Sequence, residues 1–103
     1  MSLPRESSIL VAYIFEWDPE KAAANARKHG VTFDEACTAF ADPLALLVPD
    51  PDHSFGEERY VVLGMSDQRR LLVVAFVERP PHTRLISARQ ATRHERRIYE
   101  EEG

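Results

Sequence analysis

The chain has 103 residues and a formal net charge of -4, enough for one hydrophobic core rather than two, and too acidic for a protein coated in positive potential. Hydrophobic residues at 44% and charged residues at 29% are ordinary for a globular protein, which excludes global disorder. The single cysteine, Cys37, excludes an intramolecular disulfide, and with no signal peptide or apolar run of membrane-spanning length the simplest home is a reducing cytoplasm, away from membranes.

Residues 1–8 lack periodicity and read as a flexible tail, so one domain is expected over 9–102. Ile9 to Phe15 is rich in strand-forming residues and predicts a first strand. Asp18-Pro19 then offers an N-cap followed by proline at the first helical position, and Gly30 offers a left-handed C-cap, so a first helix is expected over Pro19 to His29. Thr32-Phe33-Asp34-Glu35 has the spacing of a capping box, and Phe33, Ala36, Cys37 and Phe40 recur at helical spacing, which predicts a second helix to about Ala41. A short strand is expected over Leu44 to Val48, followed by a loop through Pro49 to Gly56 that would rim any site. Arg59 to Met65, Leu71 to Val77 and Thr83 to Ser87 read as three strands whose short connections favour antiparallel pairing. Thr92-Arg93-His94-Glu95 repeats the capping-box spacing and starts a closing helix with Ile98 and Tyr99 on its inner side. This order predicts an α+β domain in which two N-terminal helices and a short C-terminal helix cover an antiparallel sheet.

The acidic total conceals one basic corner, because Arg84, Arg89, Arg93, Arg96 and Arg97 fall within fourteen residues. Guanidinium groups are always charged and present a fork of donors that fits phosphate, so a nucleic-acid backbone is the first candidate ligand of that corner. On the first helix Lys21, Asn25 and Lys28 stand at i, i+4 and i+7 and share one face, with His29 at its edge. The bland reading of this stripe is a solvated face opposite the alanines, and that of His29 is a cation capping the helix dipole. The functional reading uses the imidazole, whose charge changes near neutral pH, for proton transfer. Glu58 and Arg59 open the central strand and point to opposite faces if pairing is regular, or into one cleft if the strand begins with a bulge. Arg59 shares parity with Val61 and Leu63, Arg84 with Ile86, and Arg89 falls at the strand-to-helix junction. Asp50, Asp52 and His53 cluster in a proline-rich loop without a spaced second pair of ligands, so neither a metal nor another cofactor is expected.

Phe15-Glu16-Trp17-Asp18-Pro19-Glu20-Lys21, Asn25, Lys28-His29-Gly30-Val31-Thr32-Phe33-Asp34-Glu35-Ala36, Phe40-Ala41-Asp42-Pro43, Glu58-Arg59-Tyr60, Gly64 and Arg84-Leu85-Ile86-Ser87-Ala88-Arg89-Gln90-Ala91-Thr92 together resemble the BrnT family of type II toxin-antitoxin toxins. The resemblance implies a compact fold similar to RelE and ParE toxins, ribonuclease activity that inhibits translation, and neutralisation by a BrnA-type antitoxin. Such antitoxins carry a ribbon-helix-helix domain, so DNA would be met only through the antitoxin, and a homodimer or a heterotetramer with the antitoxin is the assembly implied. A metal-independent endoribonuclease can use the 2′-hydroxyl of its RNA substrate as nucleophile and then needs a base, an acid and cations. On this reading His29 or Glu58 transfers protons, Arg59, Arg84 and Arg89 hold phosphate and stabilise charge, and Lys21, Lys28 and Arg93 steer the RNA backbone. Glu100-Glu101-Glu102 would repel RNA nearby, and Pro80-Pro81 would stiffen a connection at the cleft rim. Two rivals remain: a non-catalytic protein-interaction module, and an RNA-binding module that does not cleave.

Overall fold

A computed structural model describes residues 13–50 and 58–102. In chain order these form β1 (Ile14–Glu16), α1 (Pro19–His29), α2 (Phe33–Ala39), β2 (Leu46–Pro49), β3 (Arg59–Met65), β4 (Leu71–Arg79), β5 (His82–Gln90) and α3 (Arg93–Glu102). The five strands make one sheet in the order β1-β5-β4-β3-β2. Pairing is antiparallel from β2 to β5, but β1 lies parallel to β5, with Ile14 opposite His82 and Glu16 opposite Arg84. The sheet is therefore mixed rather than antiparallel. Both N-terminal helices and three further strands separate β1 from β5 in the chain, so the two can lie side by side in the same direction, a pairing that no tight turn can make.

The local stop and start signals act where the residue types place them. Asp18 accepts from the Glu20 amide at 2.9 Å, and Gly30 closes α1 at φ 70 with its amide donating to Ala26 O. Helix α2 ends two residues before the expected Ala41, because the amides of Phe40 and Ala41 donate to Cys37 O and Thr38 O and tighten the last turn into i to i−3 bonds. Strand β2 begins at Leu46 rather than Leu44, since Asp42 holds the Leu44 amide in a turn at 2.9 Å. Strands β4 and β5 outrun their expected ends and meet at a two-residue turn, Pro80-Pro81. Arg89 consequently lies inside β5, opposite Val73, not at a junction. Of the expected first strand, residues 9–12 lie outside the described residues, as does the loop over 51–57.

Two cores lie on the two faces of the sheet. The larger joins Val31, Phe33, Ala36 and Ala39 of the α1/α2 layer to Val62, Leu72, Val74, Phe76, Leu85 and Ala88. Phe40 ties it together edge-on to both Phe15 and Phe76, with centroids 4.9 and 5.0 Å away. The smaller core, Leu63, Leu71 and Tyr99, lies under α3. Leu71 and Leu72 are successive, point to opposite faces, and are both almost fully buried.

At Gly64 the sheet passes close against the end of α2. A Cβ placed there would lie 2.6 Å from Ala39 O and 3.2 Å from Ala45 Cβ. The obstacle is backbone, which cannot rotate away, so Gly64→Ala is expected to lower stability by about 1–3 kcal/mol. Urea unfolding of the variant checks this, and an unchanged midpoint would show that the helix shifts freely.

Candidate functional site

Strand β1 stops opposite Arg84, so among the described residues the rest of β5 has no strand neighbour on that side. Helix α1 covers this edge instead. Asn25, only 7% exposed, donates to Ala88 O at 2.8 Å and to Val31 O at 2.9 Å and accepts from the Ala88 amide at 3.0 Å. Its carboxamide thus takes the place of a strand neighbour and satisfies both edge-facing groups of Ala88. Asn25 belongs to the polar stripe by spacing, but the structure turns it inward, where it joins α1 to β5.

Beside that junction lies an open cleft of about 230 Å³, lined by Lys21, Ala24, Asn25, Lys28 and His29 of α1 and by Ile86 and Ser87 of β5. Three of the expected site residues therefore meet: Lys21, Lys28 and His29. The end of α1 is also held from behind. Arg70 donates to Gly30 O at 3.0 Å, and its guanidinium forms a paired ion bridge with the buried Glu35, which also accepts from Ser66 Oγ at 2.7 Å. The Arg70 hydrogen bonds hold the Glu35 carboxyl below its ordinary range despite burial. Glu35 therefore serves as only half a capping box: its amide donates to Thr32 Oγ1 at 3.0 Å, but its carboxylate is committed to Arg70.

A second group forms along one rung of the sheet on the face away from α1 and α2. Arg59 stands opposite Val77, Val77 opposite Arg84, and Arg84 beside Glu16. Two strand spacings separate Arg59 from Arg84, about 10 Å between backbones. Arg84 approaches Glu16 at 3.3 Å, and Arg59 Nε is buried without a hydrogen-bond partner among the described residues. Pairing of β3 with β4 is regular, so Glu58 takes the opposite face from Arg59, where it accepts from Tyr60 Oη at 2.9 Å. That carboxylate raises the Tyr60 pKa, because it stabilises the protonated phenol.

The remaining arginines are elsewhere. Arg89 faces the same side as Arg84 but is four residues of β4 further along, about 13 Å. It grips Glu95 through two bonds of 2.8 and 2.9 Å, while Glu95 and Thr92 complete a reciprocal capping box at 2.9 and 3.1 Å. The Arg89 bonds, foremost, depress the Glu95 carboxyl to about 2. Arg93 is exposed at the start of α3. A separate apolar cavity of about 210 Å³ lies under Ile98, floored by Leu46, Val61, Leu63 and Val73, and gathers none of these cations. Among the described residues no three His, Cys, Asp or Glu side chains gather as metal ligands; Asp52 and His53 lie outside them.

Sequence reasoning missed Ser87 and Ile86, the cleft wall supplied by β5, and the pinning roles of Asn25 and Arg70. A lone asparagine among alanines, and small residues inside an arginine-rich strand, were the available signals.

Comparison with curated proteins gives no match. The crystal structure of the Brucella abortus ribonuclease toxin, BrnT, superposes with a TM-score of 0.63 at 24% identity, over 80% of this chain and 100% of that one, so the two share a fold. The family described as "Ribonuclease toxin, BrnT, of type II toxin-antitoxin system" matches residues 17–95, a span that runs from the entry of α1 through the cleft, the arginine rung and the Arg89–Glu95 clamp, and the chain belongs to the BrnT family.

Proposed function

We propose that this protein is a metal-independent endoribonuclease that inhibits translation by cleaving RNA at the α1/β5 cleft and is silenced by a BrnA-type antitoxin. The observation that carries the reading is the meeting of Lys21, Lys28 and His29 in one open cleft where α1 borders the edge of β5. Two ammonium groups there attract a phosphate and hold it electrostatically. His29 then takes the proton of the neighbouring 2′-hydroxyl as that oxygen attacks phosphorus. The bond from phosphorus to the 5′-oxygen breaks, and that oxygen takes a proton from water as it leaves, giving a cyclic phosphate and a 5′-hydroxyl, while the hydroxide left behind recovers the proton held by His29. Arg84 stands three residues, about 10 Å, from Ser87 along β5, where it meets the phosphate backbone flanking the cleft, with Arg59 beyond it on the same rung.

His29 is favoured over Glu58 as the proton acceptor because Glu58 sits on the other side of β3 and is occupied by Tyr60. Arg89 is engaged by Glu95 and supports the sheet-to-α3 corner rather than the phosphate.

The test is cleavage of purified RNA by antitoxin-free protein in chelator. His29→Ala, with its fold verified, is expected to cut about 10²-fold or more slowly, and Lys21→Ala/Lys28→Ala to flatten the salt dependence of binding. Undiminished cleavage by His29→Ala would remove it from the chemistry. Binding without product in the unaltered protein would favour the non-cleaving RNA-binding module.

A further inference from the structure

Strand β5 carries one irregularity, and it falls at the cleft. Phe76 pairs with Leu85 and Ala75 with Ser87, so Ile86 is an extra residue bulged out of the ladder. In a regular ladder Ile86 would stand opposite Ala75; the bulge puts Ser87 there and brings a hydroxyl where an aliphatic chain would otherwise be. The register also restores Arg84, Ser87 and Arg89 to one face. Ser87 is half-buried, lines the cleft and makes no side-chain hydrogen bond among the described residues, whereas its neighbour Ala88 is fully committed to Asn25.

Positive charge in the cleft is already supplied by Lys21 and Lys28. A neutral hydroxyl adds nothing to phosphate attraction, but it both donates and accepts, the same capacity as a ribose 2′-hydroxyl. We infer that Ser87 reads the ribose 2′-hydroxyl of the strand bound in the cleft and is the residue by which this protein tells RNA from DNA. The inference rests on the cleft being the nucleic-acid site.

The experiment measures equilibrium binding of labelled RNA and DNA oligonucleotides of one sequence, in chelator, by fluorescence anisotropy, on a His29→Ala background that keeps the RNA intact. That background is expected to bind RNA several-fold more tightly than DNA. Adding Ser87→Ala weakens RNA binding about fivefold, the loss of one hydrogen bond, and leaves DNA binding unchanged, so the preference disappears; Ser87→Thr, which keeps the hydroxyl, retains most of it. Equal losses for RNA and DNA, no loss for either, or no preference to begin with would each overturn the role of Ser87. Adding Lys21→Ala/Lys28→Ala separates the two levels. If the lysines matter and Ser87 does not, the ribose contact alone fails; if neither nucleic acid responds to the lysines, the cleft itself is not the binding site.

Discussion

Asn25→Ala is expected to be among the most damaging single changes in this chain, lowering stability by about 3 kcal/mol. The truncation leaves the Ala88 amide and the carbonyls of Ala88 and Val31 without the side chain that satisfies them, and a buried unpaired polar group costs about 1–3 kcal/mol. For a domain near 100 residues this moves the melting midpoint down by about 15 °C. Thermal melting followed by circular dichroism measures it, and a shift of only a degree or two would mean that water replaces the amide at no cost. Asn25→Asp sharpens the point. The carboxylate still accepts from the Ala88 amide but sets an oxygen against two carbonyl oxygens, so its folded pKa rises above the ordinary aspartate value of about 3.9. Protonation restores a donor. The variant is therefore destabilised at neutral pH and recovers as pH falls through its raised folded pKa, the direction opposite to acid denaturation.

The second large effect is expected at Arg70. Glu35 is 3% exposed, and Arg70→Met leaves its carboxylate, among the described residues, with Ser66 Oγ as its remaining side-chain donor. Breaking a buried pair by removing one partner costs about 3–5 kcal/mol. Because the Arg70 side chain is itself 29% exposed, solvent screening puts the loss near the lower end, about 3 kcal/mol. In the unaltered protein the Glu35 pKa is lowered from 4.5, chiefly by Arg70. Its contribution is present above that ordinary value and is lost as pH falls through the lower folded value. Urea unfolding near pH 7 and again near pH 3 should show the gap between Arg70→Met and the unaltered protein shrinking in acid. A gap independent of pH would mean that the side chain acts through packing and not through the ion pair. Arg70→Met/Glu35→Gln removes the buried charge and should recover part of the loss. Cleavage should fall further than stability alone explains, because Arg70 also holds Gly30 O, one residue past His29.

The features legible in the sequence are those decided by neighbours in the chain. Asp18-Pro19, Gly30, Thr32 and the Thr92/Glu95 box announce helix ends because each cap is a contact across two to four residues, and α1 begins and ends where those residues place it. The parallel placement of β1 was not legible, since nothing within Ile14–Glu16 records which strand lies beside it. The bulge at Ile86 was invisible for a related reason. It is a property of two strands in register, and parity counted along β5 alone assigns Arg84 and Ser87 to different faces when the pairing puts them on one. Periodicity placed Lys21, Lys28 and Asn25 on a single stripe and could not say that one of the three is turned inward, because a carboxamide is as suited to a buried backbone edge as to water. The arginine-dense corner likewise divides into a rung-end pair and a clamp for α3, a partition made by Glu16 and Glu95 rather than by the arginines.

The bonds that shape the cleft span long stretches of chain. Asn25 and Ala88 are 63 residues apart, and Arg84 and Glu16 are 68 apart, so both contacts can form only after β5 has been made. The hairpins from β3 to β5 close over short turns and can form early, whereas the union of α1 with the β5 edge must wait and pays the loop-closure entropy of most of the molecule. During synthesis, therefore, the emerging chain carries Lys21, Lys28 and His29 long before it has anywhere to put them. The cleft is thus a long-range product of the fold, complete only once the first helix has docked on β5.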